Sequence, residues 1–166
     1  TIRVYEAKAI VINAGAGDDT VKVGFNASDV GTTTDTDAII VGGSGSDTLA
    51  FDTTSAAALD LSSKVNFAIS GFETIVLTAM DNTLSIKASV FAGNNTFALK
   101  GDSATDVLNV VASNTTGSTI DASGVTLTSG SSATLLITTG DKADTVTGSA
   151  NNDTITTSRS EEHTSE

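Results

Sequence analysis

The chain alternates short apolar segments with turns rich in Gly, Asn, Asp and Ser. The segments contain mainly Val, Ile, Leu, Thr and Phe, and most have the period of two that is typical of β-strands. Helical periodicity is weak, and its best candidate is Ser55–Leu61. In that segment the alternation of Ala57, Leu59 and Leu61 makes a strand at least as good a prediction. The pattern therefore predicts an all-β protein.

The predicted strands recur as pairs, each with an apolar strand, a turn containing Gly or Asp, and a second strand. One pair is too small to bury a hydrophobic face, whereas stacked pairs bury a continuous core. The sequence therefore predicts a parallel β-helix or β-roll-like solenoid with irregular rungs. A β-sandwich is the alternative, because regularly spaced short strands are typical of it as well. We favour the solenoid because the turns resemble one another in sequence. The first strands are predicted at Ile10–Asn13, Ala38–Val41, Thr74–Leu77, Thr96–Leu99 and Ala133–Ile137, and the second strands at Thr20–Val23, Thr48–Phe51, Thr83–Ile86, Val107–Val111 and Thr145–Thr147.

One turn fits a nonapeptide repeat at every fixed position. GGSGSDTLA at Gly42–Ala50 matches G-G-x-G-x-D-x-U-x, with Leu49 as the apolar residue that enters the core. We expect its three glycines to adopt the positive-φ backbone of a tight turn and to direct carbonyl oxygens inward. Asp47 adds a carboxylate at the exit of the turn. Carbonyl and carboxylate oxygens are the ligands that calcium prefers.

Degenerate copies of this motif supply further candidate ligands. They are AGAGDDTV at Ala14–Val21, GDSATDVL at Gly101–Leu108, GDKADTV at Gly140–Val146 and GSANNDTI at Gly148–Ile155. Calcium takes about six to eight oxygen ligands, and one turn supplies only about half of them, so a complete site needs two stacked turns. The predicted calcium ligands are Gly15, Gly17, Asp19, Gly43, Gly45, Asp47, Asp106, Asp144 and Asp153.

Asp19 and Asp47 form the best candidate for a complete site. They are 28 residues apart, and the strands that follow them align in the same register. If one rung of the solenoid contains 28 residues, the two turns stack and both carboxylates face a common ion. Asp144 and Asp153 are nine residues apart, which is the period of the motif, and we expect them to form at most two half-sites.

On these turns the chain resembles the hemolysin-type, or repeats-in-toxin, calcium-binding proteins. ISGFETIVLT at Ile69–Thr78 is also similar to strands of bacterial surface-layer β-solenoids. The strict motif covers nine residues and the looser resemblance about Ala7 to Thr157. The resemblance implies a right-handed β-roll or β-helix, calcium in the turns, export by a type I system and an extracellular location. The chain departs from the family in having one strict repeat where several in series are usual.

The charged residues agree with an acidic, turn-rich protein. The net charge is −12, and the 158 residues before the last eight contain 15 Asp but only 2 Glu. Aspartate suits turns, so the charge is expected there and not on helices. This charge, without a basic cluster, excludes a nucleic-acid partner. The chain has no Cys, which excludes disulfides and thiolate metal sites, and no apolar run reaches the ~20 residues of a membrane span.

No set of residues predicts catalysis. There is no His before residue 159, which removes the commonest general base and any Ser-His-Asp set. Asp35 and Asp37 are paired carboxylates, but they lie in the loop-like stretch GTTTDTD. Glu73 is open to two interpretations, as a ligand or hydrogen-bond acceptor within a rung, or as an ion-pair partner of Lys64 or Lys87. We therefore expect that the protein is not an enzyme.

The chain divides into a β-solenoid domain at 1–157, expected to be a fragment of a longer protein, and a tail at 158–166. Within that tail, Arg159–Glu166 reads RSEEHTSE, which matches the in-frame translation of a sequencing adapter. We expect the solenoid to be a structural, calcium-binding segment of a secreted bacterial surface-layer or adhesin-like protein. Neighbouring copies in a surface lattice and cell-surface polysaccharide are candidate partners. The alternatives are a calcium-binding module of a secreted repeats-in-toxin enzyme or toxin, and a carbohydrate-acting β-helix.

Overall fold

The structure, a computed structural model, describes residues 1–4, 10–24, 38–52, 58–64, 67–78 and 82–157. Within these ranges every strand pairs in parallel with its neighbours. The strands form a β-solenoid of about four turns. The predicted solenoid is therefore confirmed, and the alternative β-sandwich is excluded because its sheets would be antiparallel. Phe25, Asp35, Asp37, Ser55–Ala57 and the tail at 158–166 lie outside the described residues.

The elements are short, with strands of two to seven residues and one helix. In chain order they are β1 (Ile2–Val4), β2 (Ile10–Ala16), β3 (Thr20–Val23), β4 (Ala38–Ser44), β5 (Thr48–Phe51), β6 (Leu59–Asp60), β7 (Phe67–Ser70), β8 (Thr74–Val76), β9 (Thr83–Lys87), α1 (Ala88–Ala92), β10 (Phe97–Lys100), β11 (Val107–Val111), β12 (Thr119–Asp121), β13 (Val125–Leu127), β14 (Thr134–Thr138), β15 (Thr145–Thr147) and β16 (Asp153–Thr156).

From β4 to β14 the rungs visit three faces in the same order along the chain. Face 1 contains the sheet β2-β4-β7, then α1, then the sheet β12-β15. Face 2 is the six-stranded sheet β1-β3-β5-β8-β10-β13, and face 3 is the five-stranded sheet β16-β14-β11-β9-β6. Three lines of turns, here called corners 1–2, 2–3 and 3–1, connect these faces.

All ten predicted strands coincide with strands of the structure, but six further strands among the described residues were not in the predicted pairs, and the grouping into first and second strands was wrong. Thr74–Leu77 was expected to be a first strand, but Thr74–Val76 pairs with Thr48–Ala50 on face 2, with the second strands Thr20–Val23 and Thr48–Phe51. The prediction missed this because it recognised two faces, whereas the two-residue strand β6 begins a third. Thr20 pairs with Thr48 at a step of 28 residues, as predicted for that rung.

Helix α1 is the one helix of the described residues, and no pattern in the sequence predicted it. It contacts β7 on one side and β12 on the other, so it takes the place of a strand on face 1. Lys87 precedes the helix without capping it through its side chain, and the first turn carries no acidic residue. Its buried side chains, Val90 and Phe91 among them, complete the core at this level.

The core consists of the inward-facing residues of successive rungs, stacked in columns. On face 2 the register places Val21, Leu49, Ile75 and Leu99 above one another, and all four are buried. The five described phenylalanines, Phe51, Phe67, Phe72, Phe91 and Phe97, are all buried in the core. No helix in the described part of the chain is long and apolar enough to span a membrane.

Candidate cation site

Corner 1–2 brings the two glycine turns together as the 28-residue spacing predicted. Gly15 pairs with Gly43, and Thr20 pairs with Thr48, so the turns between these positions lie on adjacent rungs. Gly17 donates its backbone N–H to the carbonyl oxygen of Ser44 at 2.8 Å. Six of the nine predicted calcium ligands therefore share one corner. They are Gly15, Gly17, Asp19, Gly43, Gly45 and Asp47.

The glycines allow these two turns to approach more closely than other residues could. A Cβ atom at Gly43 would lie 1.9 Å from the carbonyl oxygen of Gly15, and one at Gly45 would lie 2.4 Å from that of Gly17. All four have positive φ, between 101° and 141°. The carbonyl oxygens of Gly15 and Gly17 therefore face the neighbouring rung.

Gly42 corrects one expectation, because it does not have positive φ. A Cβ atom there would lie 1.9 Å from the carbonyl oxygen of Gly71 and 2.9 Å from the Cβ of Asp47. The first glycine of the motif is therefore required because any larger residue would collide with the Asp47 side chain and with the next rung. Gly101 has the same relation to Asp106, and Gly148 to Asp153.

Two carboxylates tie the stacked turns to each other in opposite directions. Asp47 Oδ1 accepts a hydrogen bond from the backbone N–H of Asp19 at 2.8 Å. Asp18 Oδ1 accepts one from the backbone N–H of Ser46 at 2.9 Å. Hydrogen bonds to charged groups are the stronger ones in proteins, so this reciprocal pair fixes the register of the two rungs.

Glu73 extends the same column by one rung. Its Oε2 accepts a hydrogen bond from the backbone N–H of Asp47 at 2.6 Å. Of the two interpretations left open for Glu73, the structure shows the hydrogen-bond acceptor, and the donor lies on the neighbouring rung. The carbonyl oxygen of Asp47 also accepts hydrogen bonds from the backbone N–H groups of Glu73 and Thr74, each at 3.1 Å. Asp47 is therefore bonded to the rungs on both sides.

The second carboxylate oxygen of Asp47 has no partner. Asp47 is 0% exposed, and its Oδ2 is buried without a hydrogen-bond donor among the described residues. A buried polar atom without a partner costs about 1–3 kcal/mol, and more when the group is charged. Asp19, one rung away, is half-buried, and no described residue donates to its carboxylate. The corner thus holds an oxygen that a cation would satisfy.

The other three predicted ligands lie at different places and do not join this site. Asp106 is at corner 2–3, Asp144 is at corner 3–1, and Asp153 begins β16 on face 3. Each instead binds backbone of its own turn. Asp106 Oδ2 accepts from the N–H groups of Asp102 and Ser103 at 2.9 and 3.0 Å.

Asp144 and Asp153 have both carboxylate oxygens engaged. Asp144 accepts from the backbone N–H groups of Gly140 and, one rung back, Ser118. Asp153 accepts from the N–H and the hydroxyl of Ser149 at 2.6 and 2.7 Å. Asp106 differs, because its Oδ1 is buried without a partner like the Oδ2 of Asp47. Corner 2–3 is therefore a second place with an unsatisfied buried oxygen.

The candidate ligand atoms at corner 1–2 are of the type that a hard cation binds. They are carboxylate oxygens and glycine carbonyl oxygens, which calcium prefers, and one of them lacks any other partner. Within the described ranges no three acidic or imidazole side chains form a group that could hold a metal ion. Backbone oxygens would therefore have to supply much of the coordination.

Asn94 is a structural polar residue that the sequence did not reveal. It is buried, accepts from the N–H of Phe72 at 2.8 Å and donates to the carbonyl oxygen of the same residue at 3.0 Å. It thereby continues the side-chain-to-backbone bonding of corner 1–2 above Glu73. In the sequence Asn94 appears only as part of an Asn-Asn pair after an apolar segment. That pattern is equally typical of an ordinary exposed turn.

The fold and this corner define the chain as a parallel β-solenoid whose turns are held together by carboxylate and amide side chains. A scan against protein-family models, a search of curated proteins and a search of solved structures find no match to it.

Proposed function

We propose that the chain is a structural β-solenoid segment of a secreted bacterial surface protein, of the surface-layer or adhesin kind, and that calcium stabilises it at corner 1–2. The observation that carries this proposal is the fully buried carboxylate of Asp47, whose Oδ2 has no described donor. Asp47, Asp19 and the carbonyl groups of the stacked glycine turns would hold the ion. Calcium would neutralise the buried charge and link the two rungs.

The charge of the protein gives calcium a thermodynamic role in folding. At a net charge of −12, acidic turns repel one another, and that repulsion opposes the compact state. An ion that binds only the folded chain adds its binding free energy to stability. Such a protein would be less stable in a low-calcium cytosol and more stable outside the cell. This is a structural role and not a catalytic one.

Thermal unfolding followed by circular dichroism tests the proposal. At a calcium concentration about 100 times the dissociation constant, stabilisation is about 2.7 kcal/mol. For a chain of this length, that corresponds to a rise in Tm of roughly 5–10 °C. Magnesium should give a smaller rise, because it dehydrates reluctantly and demands a stricter geometry.

Asp47→Asn is the informative variant, with Asp141→Asn as its control. The amide side chain of Asp47→Asn would keep an oxygen for the N–H of Asp19 but remove the buried charge, so the calcium-free protein should be no less stable than wild type. The rise in Tm with calcium should disappear. Asp141 is exposed and lies far along the chain, so Asp141→Asn changes the net charge equally and should retain the rise. An unchanged calcium response in Asp47→Asn would contradict the proposed site.

A further inference from the structure

A groove lies at corner 3–1, beside the helix that replaces a strand on face 1. It has a volume of about 870 Å³, within the range of ligand-binding pockets. Three successive rungs line it, through Ser62–Ser63, through Lys87–Ser89 with Ala92, and through Val111–Thr119. The groove is far along the rung from corner 1–2 and shares no residue with the candidate cation site.

The chemistry of this groove is unusual for so acidic a chain. Its polar side chains are hydroxyls and one amide, among them Ser62, Ser89, Asn114 and Thr119. Lys87 is the one charged residue among the described residues that line it. The groove therefore presents one cation surrounded by groups that both donate and accept hydrogen bonds.

Lys87 has no ion-pair partner among the described residues. The acidic residue nearest to it in register is Asp60, which pairs with Ser85, and Asp60 Oδ1 already accepts from the N–H and the hydroxyl of Ser62. Partial burial lowers the pKa of the Lys87 ammonium below its usual value. An anion in the groove would replace the hydration that the Lys87 ammonium loses on burial.

The wall formed by Val111–Thr119 is held in place before any ligand binds. Ser113 Oγ accepts from the backbone N–H of Thr115 at 3.2 Å, and Asp144 Oδ1 accepts from that of Ser118 at 2.7 Å. A Cβ atom at Gly117 would lie 2.4 Å from the carbonyl oxygen of Ala143 in the next rung. A wall fixed in this way loses little conformational entropy on binding.

We propose that this groove binds an acidic oligosaccharide whose carboxylate pairs with Lys87 and whose hydroxyls bond to the Ser, Thr and Asn side chains. The single ammonium of Lys87 matches one carboxylate of such a ligand. The hydroxyl and amide side chains that line the groove match the hydroxyl groups of a sugar. The inference does not depend on calcium, because no acidic side chain is among the described residues that line the groove.

Nuclear magnetic resonance of the whole ¹⁵N-labelled chain tests it, with the trimer of galacturonic acid as the probe and the neutral galactose trimer of the same linkage for comparison. A chelator present throughout prevents binding through calcium. The acidic trimer should shift the amide signals of 62–63, 87–92 and 111–119, and the neutral trimer should bind more weakly. Lys87→Gln should weaken binding of the acidic trimer roughly fivefold, the upper range for one partly exposed ion pair.

Lys100→Gln is the matched control, because Lys100 is exposed on face 2 and its loss changes the charge equally. It should leave binding unchanged, and Lys87→Arg should retain most of it. Thermal unfolding of each variant establishes that it is folded. Equal binding of both trimers, full affinity in Lys87→Gln, shifts at other residues, or no binding of the acidic trimer at millimolar concentration would each overturn the proposal.

Discussion

Gly43→Ala should destabilise the protein far more than Gly15→Ala, although the two glycines occupy equivalent positions on adjacent rungs. Both have positive φ, 118° and 101°, so alanine at either position adopts an unfavourable backbone conformation that costs about 1–2 kcal/mol. A Cβ atom at Gly15 contacts nothing within 4 Å, whereas one at Gly43 lies 1.9 Å from the carbonyl oxygen of Gly15. Only Gly43→Ala must therefore force the two rungs apart.

That separation would break the carboxylate bonds between the rungs, Asp47 to Asp19 and Asp18 to Ser46. A hydrogen bond to a charged group contributes about 1.5–3 kcal/mol, and the exposed Asp18 bond contributes less. We therefore expect a loss of about 1–2 kcal/mol for Gly15→Ala and of about 3–6 kcal/mol for Gly43→Ala.

Urea denaturation in the presence of a chelator measures both losses without a contribution from calcium. Gly130→Ala is a second control, because Gly130 has φ 77° and its Cβ would contact nothing within 4 Å. It should behave like Gly15→Ala. If Gly43→Ala and Gly15→Ala agree within about 0.5 kcal/mol, close approach of the turns does not contribute to stability and the reasoning fails.

Three further predictions concern the core, the buried amide and one carboxylate. Leu49→Ala should lower the free energy of unfolding by about 2–5 kcal/mol in urea denaturation, because Leu49 is buried. Val11→Ala, at a side chain that is 69% exposed, should change it by no more than about 0.5 kcal/mol. Similar losses in the two variants would contradict the assigned strand faces. Asn94→Ala should cost about 2–4 kcal/mol, because it leaves the N–H and the carbonyl oxygen of Phe72 without their partner, and a neutral result would indicate that water replaces the amide. Hydrogen bonds from the Ser123 side chain and backbone lower the pKa of Asp121. Their contribution to the stability of the folded state is therefore present above the unfolded-state pKa of Asp121 and is lost as the pH falls through its folded-state pKa. Ser123→Ala should raise the Asp121 pKa in an NMR pH titration, and an unchanged value would exclude the side-chain bond.

The strands could be predicted because burial alternates along them. In β3 and β5 the inward positions are apolar and the outward positions are small or polar, so the bounds of both strands are those read from the sequence. The stacking of Asp19 on Asp47 could be predicted for the same reason, since equal spacing between similar strands implies equal register. Strand β6 has only two residues, too few for any periodicity, and without it the third face was not recognised.

The roles of individual polar residues could not be predicted, because they depend on contacts between rungs. Asp47 bonds to the backbone of a residue 28 positions earlier, and Asn94 to one 22 positions earlier. Asp144 has the same sequence context as a motif aspartate, yet both of its oxygens bind backbone N–H groups. The groove around Lys87 forms where helix α1 interrupts face 1, and no cap or periodicity predicts that helix.

A crystal structure of the protein grown with calcium, with anomalous scattering used to locate the ion, tests the central claim most directly. The proposal predicts an anomalous peak about 2.3–2.6 Å from Asp47 Oδ2, the usual distance between calcium and oxygen, with further oxygens from the stacked glycine turns around it. A calcium peak only at other corners, or Asp47 Oδ2 bonded to water with no ion beside it, would contradict the proposal.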